Sequence, residues 1–410
     1  MNKTVLILSS VWVEPKSSAA GTRMLQIIKL LQSQGYIIHY AATASYSEFS
    51  FDLASIDVQT HTIELNNSSF DVFVKQINPQ IVIFDRFMIE EQFGWRVLNQ
   101  CPDAVRILDT EDLHCLRIAR QLAYKQNKEF TTTDLYSEHA KREIASILRC
   151  DLSLIISKFE MELLQSTFNI PVQNLFYLPF LTQLETTDFS SNPSFNERTD
   201  LVCIGNFLHE PNWATVQIIK EKIWPELRKK LPGAKMQIYG AYPSQKVLQL
   251  HKPSENFYVN GRADHAYTVI KNAKILLAPI PFGAGIKGKL YEAMLLGTPT
   301  VTTPIGAEAM HDNLNWNGFI TNNYQEMIVH CTTLYQDEVC WQNAQNNGYE
   351  LIKNLYDEKQ FKHLFLDKLQ TIKNNLTLHR NSNFIGEILN FHLNRSTEFM
   401  SRWIEEKNKK

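Results

Sequence analysis

Short aliphatic and β-branched runs alternate with stretches of 3.6-residue apolar periodicity over the first 320 positions. TVLILS, YIIHYAA, QIVIFD, VRILD and LSLIIS read as buried strands in the first half. Between the first two, TRMLQIIKLLQSQ puts Met24, Ile27, Ile28 and Leu31 on one helical face. Gly35 follows, the residue type that closes a helix in the left-handed conformation. SKFE reads as another helix start, with Ser157 capping and Glu160 completing a capping box. Strands separated by helices predict parallel sheets.

Residues 179–199 interrupt this rhythm with Ser, Thr, Asn, Asp and Pro and neither periodicity, and so read as a linker. The alternation then restarts: strands LVCIG, AKMQIYG, NFYVNG, KILLAPI and TPTVTT, with helices NWATVQIIKEKIWPELRKKL, HAYTVIKNA and KLYEAMLLG among them. Two α/β units are therefore expected: a first domain over residues 1–180, a linker over 181–199 and a second domain over 200–375. Ligands of open parallel sheets bind outside the strand C-terminal ends, which predicts a cleft where the two units face one another. Two domains that merely pack together are the plainer alternative. Past residue 320 the pattern is helical. Residues 376–410 are expected to pack back on the first domain, and the last helix is amphipathic, with Phe384, Ile388, Phe391, Leu393, Phe399, Trp403 and Ile404 among polar residues. It reads either as a packing helix or as a helix lying on a membrane surface.

Composition narrows the function. In 410 residues, 41 basic and 43 acidic side chains give a formal net charge of −2, so no bulk attraction to nucleic acid follows. Six scattered cysteines without a C-x-x-C pair exclude a disulfide scaffold and an evident zinc site, and favour a reducing compartment. No apolar run approaches the ~20 residues that span a bilayer. The N-terminal apolar stretch imitates a signal peptide, but Ser9 and Ser10 interrupt it and Glu14 and Lys16 follow, so a first strand and a cytoplasmic protein are expected.

The chemistry concentrates in residues 274–310. A strand runs into the loop Gly283, Ala284, Gly285, Ile286, Lys287, Gly288, Lys289, and the loop into a helix. Glycines let an anion approach the backbone, free N–H groups and the helix dipole favour it, and the two lysines add charge. This is a diphosphate cradle, with a glycine turn required only for packing as the rival. Gly283–Lys289 also fits G-x-x-x-x-G-K, but Leu290 stands where a P-loop needs Ser or Thr. No G-x-G-x-x-G follows the first strand, where Gly21 is the single glycine, which argues against a nicotinamide or flavin dinucleotide. Glu292 is expected on the first turn of the helix. There it either accepts hydrogen bonds from neutral hydroxyls such as those of a ribose, or simply stabilises the helix dipole. In the first domain, Glu111, Asp112 and His114 follow a strand end that should reach the cleft together with Asp109. His114 could hydrogen-bond a sugar or help deprotonate an acceptor, and Asp112 or Glu111 could orient it or take the proton. A capped helix start accounts for the same residues. Asp85 and Arg86 read as a structural ion pair.

The run GAGIKGKLYEAMLLGTPTVTTPIGAEAM resembles the donor-binding segment of the family-4 (group 1) glycosyltransferases, enzymes of the GT-B fold with two facing Rossmann-like domains. The glycine loop, Glu292, the Gly297-Thr298-Pro299 turn and the Gly306-Ala307-Glu308 segment match in order and spacing. IGNFLHEPN, YVNGRADHAY and LDTEDLHCLRIAR match more loosely. The likeness implies a nucleoside diphosphate-sugar donor, UDP- or GDP-linked, held by the second domain, with no separate cofactor and no essential metal. By it, Gly283, Ala284, Gly285, Ile286 and Lys287 would contact the pyrophosphate, Glu292 the ribose, and Arg262 the base. Gly21 would face the diphosphate across the cleft, and Asn206 would lie beside the donor. Lys287 would stabilise the leaving group, and transfer to a hydroxyl of a glycan, lipid-linked or protein acceptor would retain anomeric configuration. Two departures stand out. Ala284 occupies the first position of the family's E-x7-E pair, and Asn206 a position where many members carry Arg, with His209 and Asn212 the nearest substitutes. An inactive binding or scaffold subunit, and an epimerase or phosphorylase on the same fold, therefore stay open. So does peripheral attachment to the inner face of a membrane.

Overall fold

The computed structural model describes residues 3–408. The first domain runs β1 (Thr4–Ser9), α1 (Ala19–Gln32), β2 (Ile37–Ala42), β3 (Gln59–Thr62), α2 (Ser69–Ile77), β4 (Ile81–Asp85) and α3 (Phe87–Gln100). It continues through β5 (Val105–Asp109), α4 (His114–Lys125), α5 (Glu138–Arg149), β6 (Leu152–Ile155), α6 (Lys158–Ser166) and β7 (Leu175–Tyr177). All seven strands are parallel, in the order β3-β2-β1-β4-β5-β6-β7. Helices cover both faces, which is why TVLILS is buried at every position rather than alternating. Leu6, Leu8, Val82, Phe84 and Leu108 point into one core layer, and Val5, Ile7, Ile81, Ile83 and Ile107 into the other.

The second domain comprises β8 (Thr199–Ile204), α7 (Glu210–Ile218), α8 (Trp224–Lys230), β9 (Met236–Tyr239), α9 (Gln245–Leu248), β10 (Phe257–Val259), α10 (Ala266–Asn272) and β11 (Ala273–Ala278). After these come α11 (Gly288–Leu295), β12 (Thr300–Thr302), α12 (Pro304–Ala307), β13 (Gly318–Ile320), α13 (Tyr324–Gln336) and α14 (Glu338–Leu355). Its six parallel strands are ordered β10-β9-β8-β11-β12-β13. Strand order reverses between β1 and β4 in one sheet and between β8 and β11 in the other. These two switch points, where a crevice opens beyond the strand ends, face each other.

The chain crosses between domains twice, and the crossings pair: Thr182 N–H donates to Tyr356 O at 2.6 Å and Glu358 N–H to Thr182 O at 2.9 Å. Helix α15 (Glu358–Asn374) accordingly inserts Phe365, Leu369 and Ile372 into the core layer of the first domain. The second domain thus ends near residue 356 and not at 375, because the helical pattern of this segment records that one face is apolar but not which domain covers it.

Helices α16 (Leu376–Ser382) and α17 (Phe384–Asn408) follow, and α17 lies against α3 and α5. Its polar side faces inward: Asn390 accepts from Arg106 at 3.2 Å, Ser401 from Arg96 at 3.0 Å, and Glu405 pairs with Arg96. Phe384, Ile388, Phe391, Phe399 and Trp403 are 44% to 68% exposed. The amphipathic helix is therefore turned with its apolar stripe outward, because the surface beneath it presents arginines that require oxygen acceptors. Leu393, counted in that stripe, has a side chain outside those described. No helix among the described residues is long and apolar enough to cross a membrane.

Candidate active site

Helices α1 and α11 begin at the two switch points and meet nearly head to head. A Cβ on Gly288 would collide with that of Ala19, so glycine is required where the two N-termini converge. The N–H groups of Ala19 and Ala20 in α1, and of Ile286, Gly288 and Lys289 at α11, find no protein acceptor among the described residues. They border one cavity of about 280 Å³ between the domains. Two positive helix ends and several uncommitted amides thus act on the same space, an arrangement suited to an anion.

Gly21 is not part of that surface. Its N–H donates to the cap Ser18 Oγ at 3.1 Å and a Cβ there would strike the Glu14 carbonyl, so Gly21 shapes the loop while Ala19 and Ala20 face the cavity. Gly285 is likewise committed. It adopts φ +63°, a Cβ would come 2.8 Å from Asp112 Cβ, and its N–H donates to Glu160 Oε1 at 2.8 Å. The Gly283 carbonyl accepts from Arg120 at 2.9 Å. Ala284 packs on the first-domain core and carries no group that could replace a carboxylate.

Lys287 is buried, donates to Gly285 O at 2.8 Å, and is lowered by burial to about 8. Lys289 donates to Asn212 Oδ1 at 2.7 Å, and burial lowers it as well. Glu292 is the fifth residue of α11, one turn further in than expected, where the dipole no longer accounts for a carboxylate. Its side chain borders the cavity without a hydrogen-bond partner among the described residues, and burial pushes it up to about 7 against the pull of Lys289. Asn206 borders the cavity too, but its Oδ1 accepts Leu208 N–H at 2.9 Å and so holds its own turn. Arg262 lies over the Phe49 ring, 4.0 Å from its centroid, at the far end of the cavity.

On the first-domain side, Asp109 does not reach the cleft. It is fully buried beneath it, bound by Arg23 at 2.9 Å and 3.0 Å, and burial raises its pKa. Glu111 borders the cavity at φ +63° and is pushed upward by burial and by Asp109. Against burial, Arg117 at 2.7 Å and His114 hold Asp112 down at about 2, which makes it a weak proton acceptor. The His114 Nε2 lies 3.4 Å from Asp112 Oδ1. Burial brings His114 to about 4, so the ring is neutral near pH 7 and has one donor and one acceptor nitrogen. Asp85 accepts Ser9 Oγ at 2.5 Å and lies 3.7 Å from Arg86, which itself adopts φ +72° and borders the cavity.

Residues 198–337 match the family model described as Glycosyl transferases group 1. The second domain is a group 1 glycosyltransferase domain. The whole chain has the GT-B fold. HepE from Anabaena, solved with UDP and glucose, superposes with a TM-score of 0.65 at 11% identity over 89% of this chain and 99% of that one. Sucrose-phosphate synthase from Thermosynechococcus elongatus gives 0.64 at 13% identity, covering 90% and 99%. TarM from S. aureus, solved with fondaparinux, alpha-GlcNAc-glycerol and UDP, gives 0.56 at 13% identity over 74% of this chain. The chain spans 58% of the length of TarM. No curated protein matches the chain by sequence.

No local sequence pattern singles out four further residues around the cavity. On α4, Arg117 lies one turn after His114 and Arg120 one turn after Arg117, a spacing that is legible once the helix is placed. Arg23 binds a partner 86 positions away, with no local trace. Glu160 departs from the expected capping box: Ser157 Oγ caps nothing and is buried without a partner, and Glu160 reaches across the cleft rather than back to its own helix.

Proposed function

We propose that this protein is a glycosyltransferase that moves a sugar from a UDP- or GDP-sugar to an acceptor hydroxyl of a glycan, lipid-linked or protein substrate. The observation that carries this reading is the pair of facing helix N-termini with uncommitted amides, beside the unpartnered Glu292. The leaving diphosphate sits between α1 and α11, where fixed N–H dipoles and Lys287 and Lys289 receive its developing charge. That provision supports departure without an essential metal or a separate cofactor. Glu292 accepts the ribose hydroxyls and Arg262 flanks the base. Neutral His114, oriented by Asp112, hydrogen-bonds the transferred sugar beside Glu111 and Arg86. The acceptor enters from the first domain, and transfer retains anomeric configuration. The complexes of HepE and TarM with UDP support the choice of donor class.

The outward stripe of α17 supports attachment to an anionic membrane surface. Its aromatic rings carry cations, Arg395 at 4.3 Å from the Phe391 centroid and Lys407 at 5.2 Å from that of Trp403, while Glu405 is turned inward onto Arg96. Co-sedimentation with vesicles containing anionic lipid, lost in Phe399→Ser/Trp403→Ser, tests this part separately.

The main test is thermal unfolding with UDP and GDP. A nucleotide at 100 times its dissociation constant should stabilise the fold by ~2.7 kcal/mol. No shift with either nucleotide would overturn the assignment. NMR of the product would then establish the anomeric configuration.

A further inference from the structure

We propose that Glu160 is a positioning residue that ties the glycine loop of the second domain to the start of the His114 helix in the first, so that the donor seat takes its working shape only when the domains are closed. This rests on reading the glycine loop as the diphosphate seat. Glu160 is completely buried, and its Oε1 accepts two N–H groups from opposite sides of the cleft: Leu113 at 3.0 Å and Gly285 at 2.8 Å.

The start of α4 does not need this second connection. Its own first amides, those of His114 and Cys115, are already taken by the two oxygens of Glu143 at 2.9 Å and 2.7 Å, entirely within the first domain. Glu160 differs in that half of its bonding crosses to the other domain. Arg120, also on α4, crosses in the same direction, to the Gly283 carbonyl at 2.9 Å and to Glu308 at 2.7 Å and 2.8 Å. The peptide Gly283–Gly285 is thus held at one end by a carbonyl bond and at the other by an N–H bond, both to first-domain side chains. Immediately after it come the amides of Ile286, Gly288 and Lys289 that face the cavity. Opening the domains releases both clamps together and leaves a segment containing two glycines to find its own conformation.

The clamp is also costly in isolation. Glu160 Oε2 is buried without a hydrogen-bond partner, an expense that such a site retains where geometry is required of it. Burial and the neighbouring Asp112 push the carboxyl up to about 8, so near pH 7 it is chiefly the neutral acid, accepting both N–H groups through one oxygen. Glutamine reproduces that state closely, whereas alanine removes it.

Amide hydrogen exchange on the ligand-free chain reads the clamp without any nucleotide. Glu160→Ala should expose Gly285 N–H to exchange at least about tenfold faster, and Glu160→Gln should keep it protected. In transfer assays Glu160→Ala should lose at least about tenfold in kcat and weaken UDP binding, while binding of uridine alone is unchanged; Glu160→Gln should restore most of both. Arg120→Met, which releases the other end of the loop, should reproduce the kinetic loss should Glu160→Ala prove too unstable to purify. Protection of Gly285 unchanged in Glu160→Ala, or Glu160→Gln as impaired as Glu160→Ala, would overturn the proposal. If the wild-type chain binds neither UDP nor GDP, it is the assigned activity that fails, and the exchange result still decides whether the clamp exists.

Discussion

On the second-domain wall of the cleft Glu292 and the amides of Ile286, Gly288 and Lys289 are left open, whereas most of the charged side chains at and beneath the first-domain wall are already spent on one another. Gly288 and Lys289 offer free amides, Lys289 has a neutral Asn212 as its partner, and Glu292 has none. Opposite them, Arg23 is bound to Asp109, Arg117 and His114 to Asp112, Ser9 to Asp85, and Glu143 to the start of α4. Burying unsatisfied polar groups costs stability, so a wall built that way is kept for something that arrives later, while the satisfied wall holds its shape in advance. One side reads as a receptor for an anion and hydroxyls, the other as a rigid template against which the reaction is aligned.

The largest effect should come from breaking the satisfied wall. Arg23→Met leaves the Asp109 carboxylate buried without its cation, and removal of one partner of a buried pair costs about 3–5 kcal/mol. Urea unfolding should show that loss for Arg23→Met and less than ~1 kcal/mol for Lys289→Met, since Lys289 surrenders only a bond to a neutral amide. Equal losses would erase the distinction between the walls.

Next in size is the effect on ligand. Glu292→Ala and Lys289→Met should each weaken UDP binding by at least about tenfold, or ~1.4 kcal/mol, in calorimetry. Uridine separates them: its affinity should fall in Glu292→Ala and hold in Lys289→Met, because one residue is assigned to the ribose and the other to the diphosphate. Unchanged UDP affinity in either variant would remove that residue from the donor site.

The same contrast explains what could be read in the chain beforehand. The part of the second-domain wall that carries the open groups is one contiguous strand, loop and helix, so glycine content, lysines and Glu292 are legible together. The first-domain wall is assembled from residues far apart, Arg23 with Asp109 and Glu160 with Gly285, and no local pattern announces such pairs. Strands β1, β4, β5, β8 and β11 were evident as apolar runs because both their faces are covered. Strands β3, β7 and β13 have only three or four residues and lie at the sheet edges, and the Gln59–Thr62 strand is polar besides. SKFE satisfied every local criterion for a capping box, yet tertiary contacts drew Glu160 away, so the local reading was lost at a residue that bridges two domains. The outward face of α17 shows the converse: its amphipathicity was plain, but which side would be buried depended on Arg96 and Arg106, which are distant in sequence.

The smallest effects concern pH, and here the two walls should respond with opposite sign. Burial raises folded Glu292 from 4.5 to about 7, so its ionisation is disfavoured in the folded chain and stability declines as pH rises from 4.5 through 7. Burial lowers folded His114 from 6.5 to about 4, so the unfolded chain binds the proton more readily and stability declines as pH falls from 6.5 through 4. Thermal unfolding followed from pH 4 to pH 8 should therefore show Glu292→Gln gaining on the wild type toward pH 8, by about 2 °C or more, and His114→Gln gaining toward pH 5. UDP should reverse the first trend, because the ribose hydroxyls donate to the ionised carboxylate: its affinity should weaken as pH falls below 7 in the wild type and lose that dependence in Glu292→Gln. A Glu292→Gln chain that is no more stable at pH 8, and whose UDP affinity still follows pH as the wild type does, would mean that Glu292 is solvated and paired like an ordinary surface acid, and the second-domain wall would no longer differ from the first.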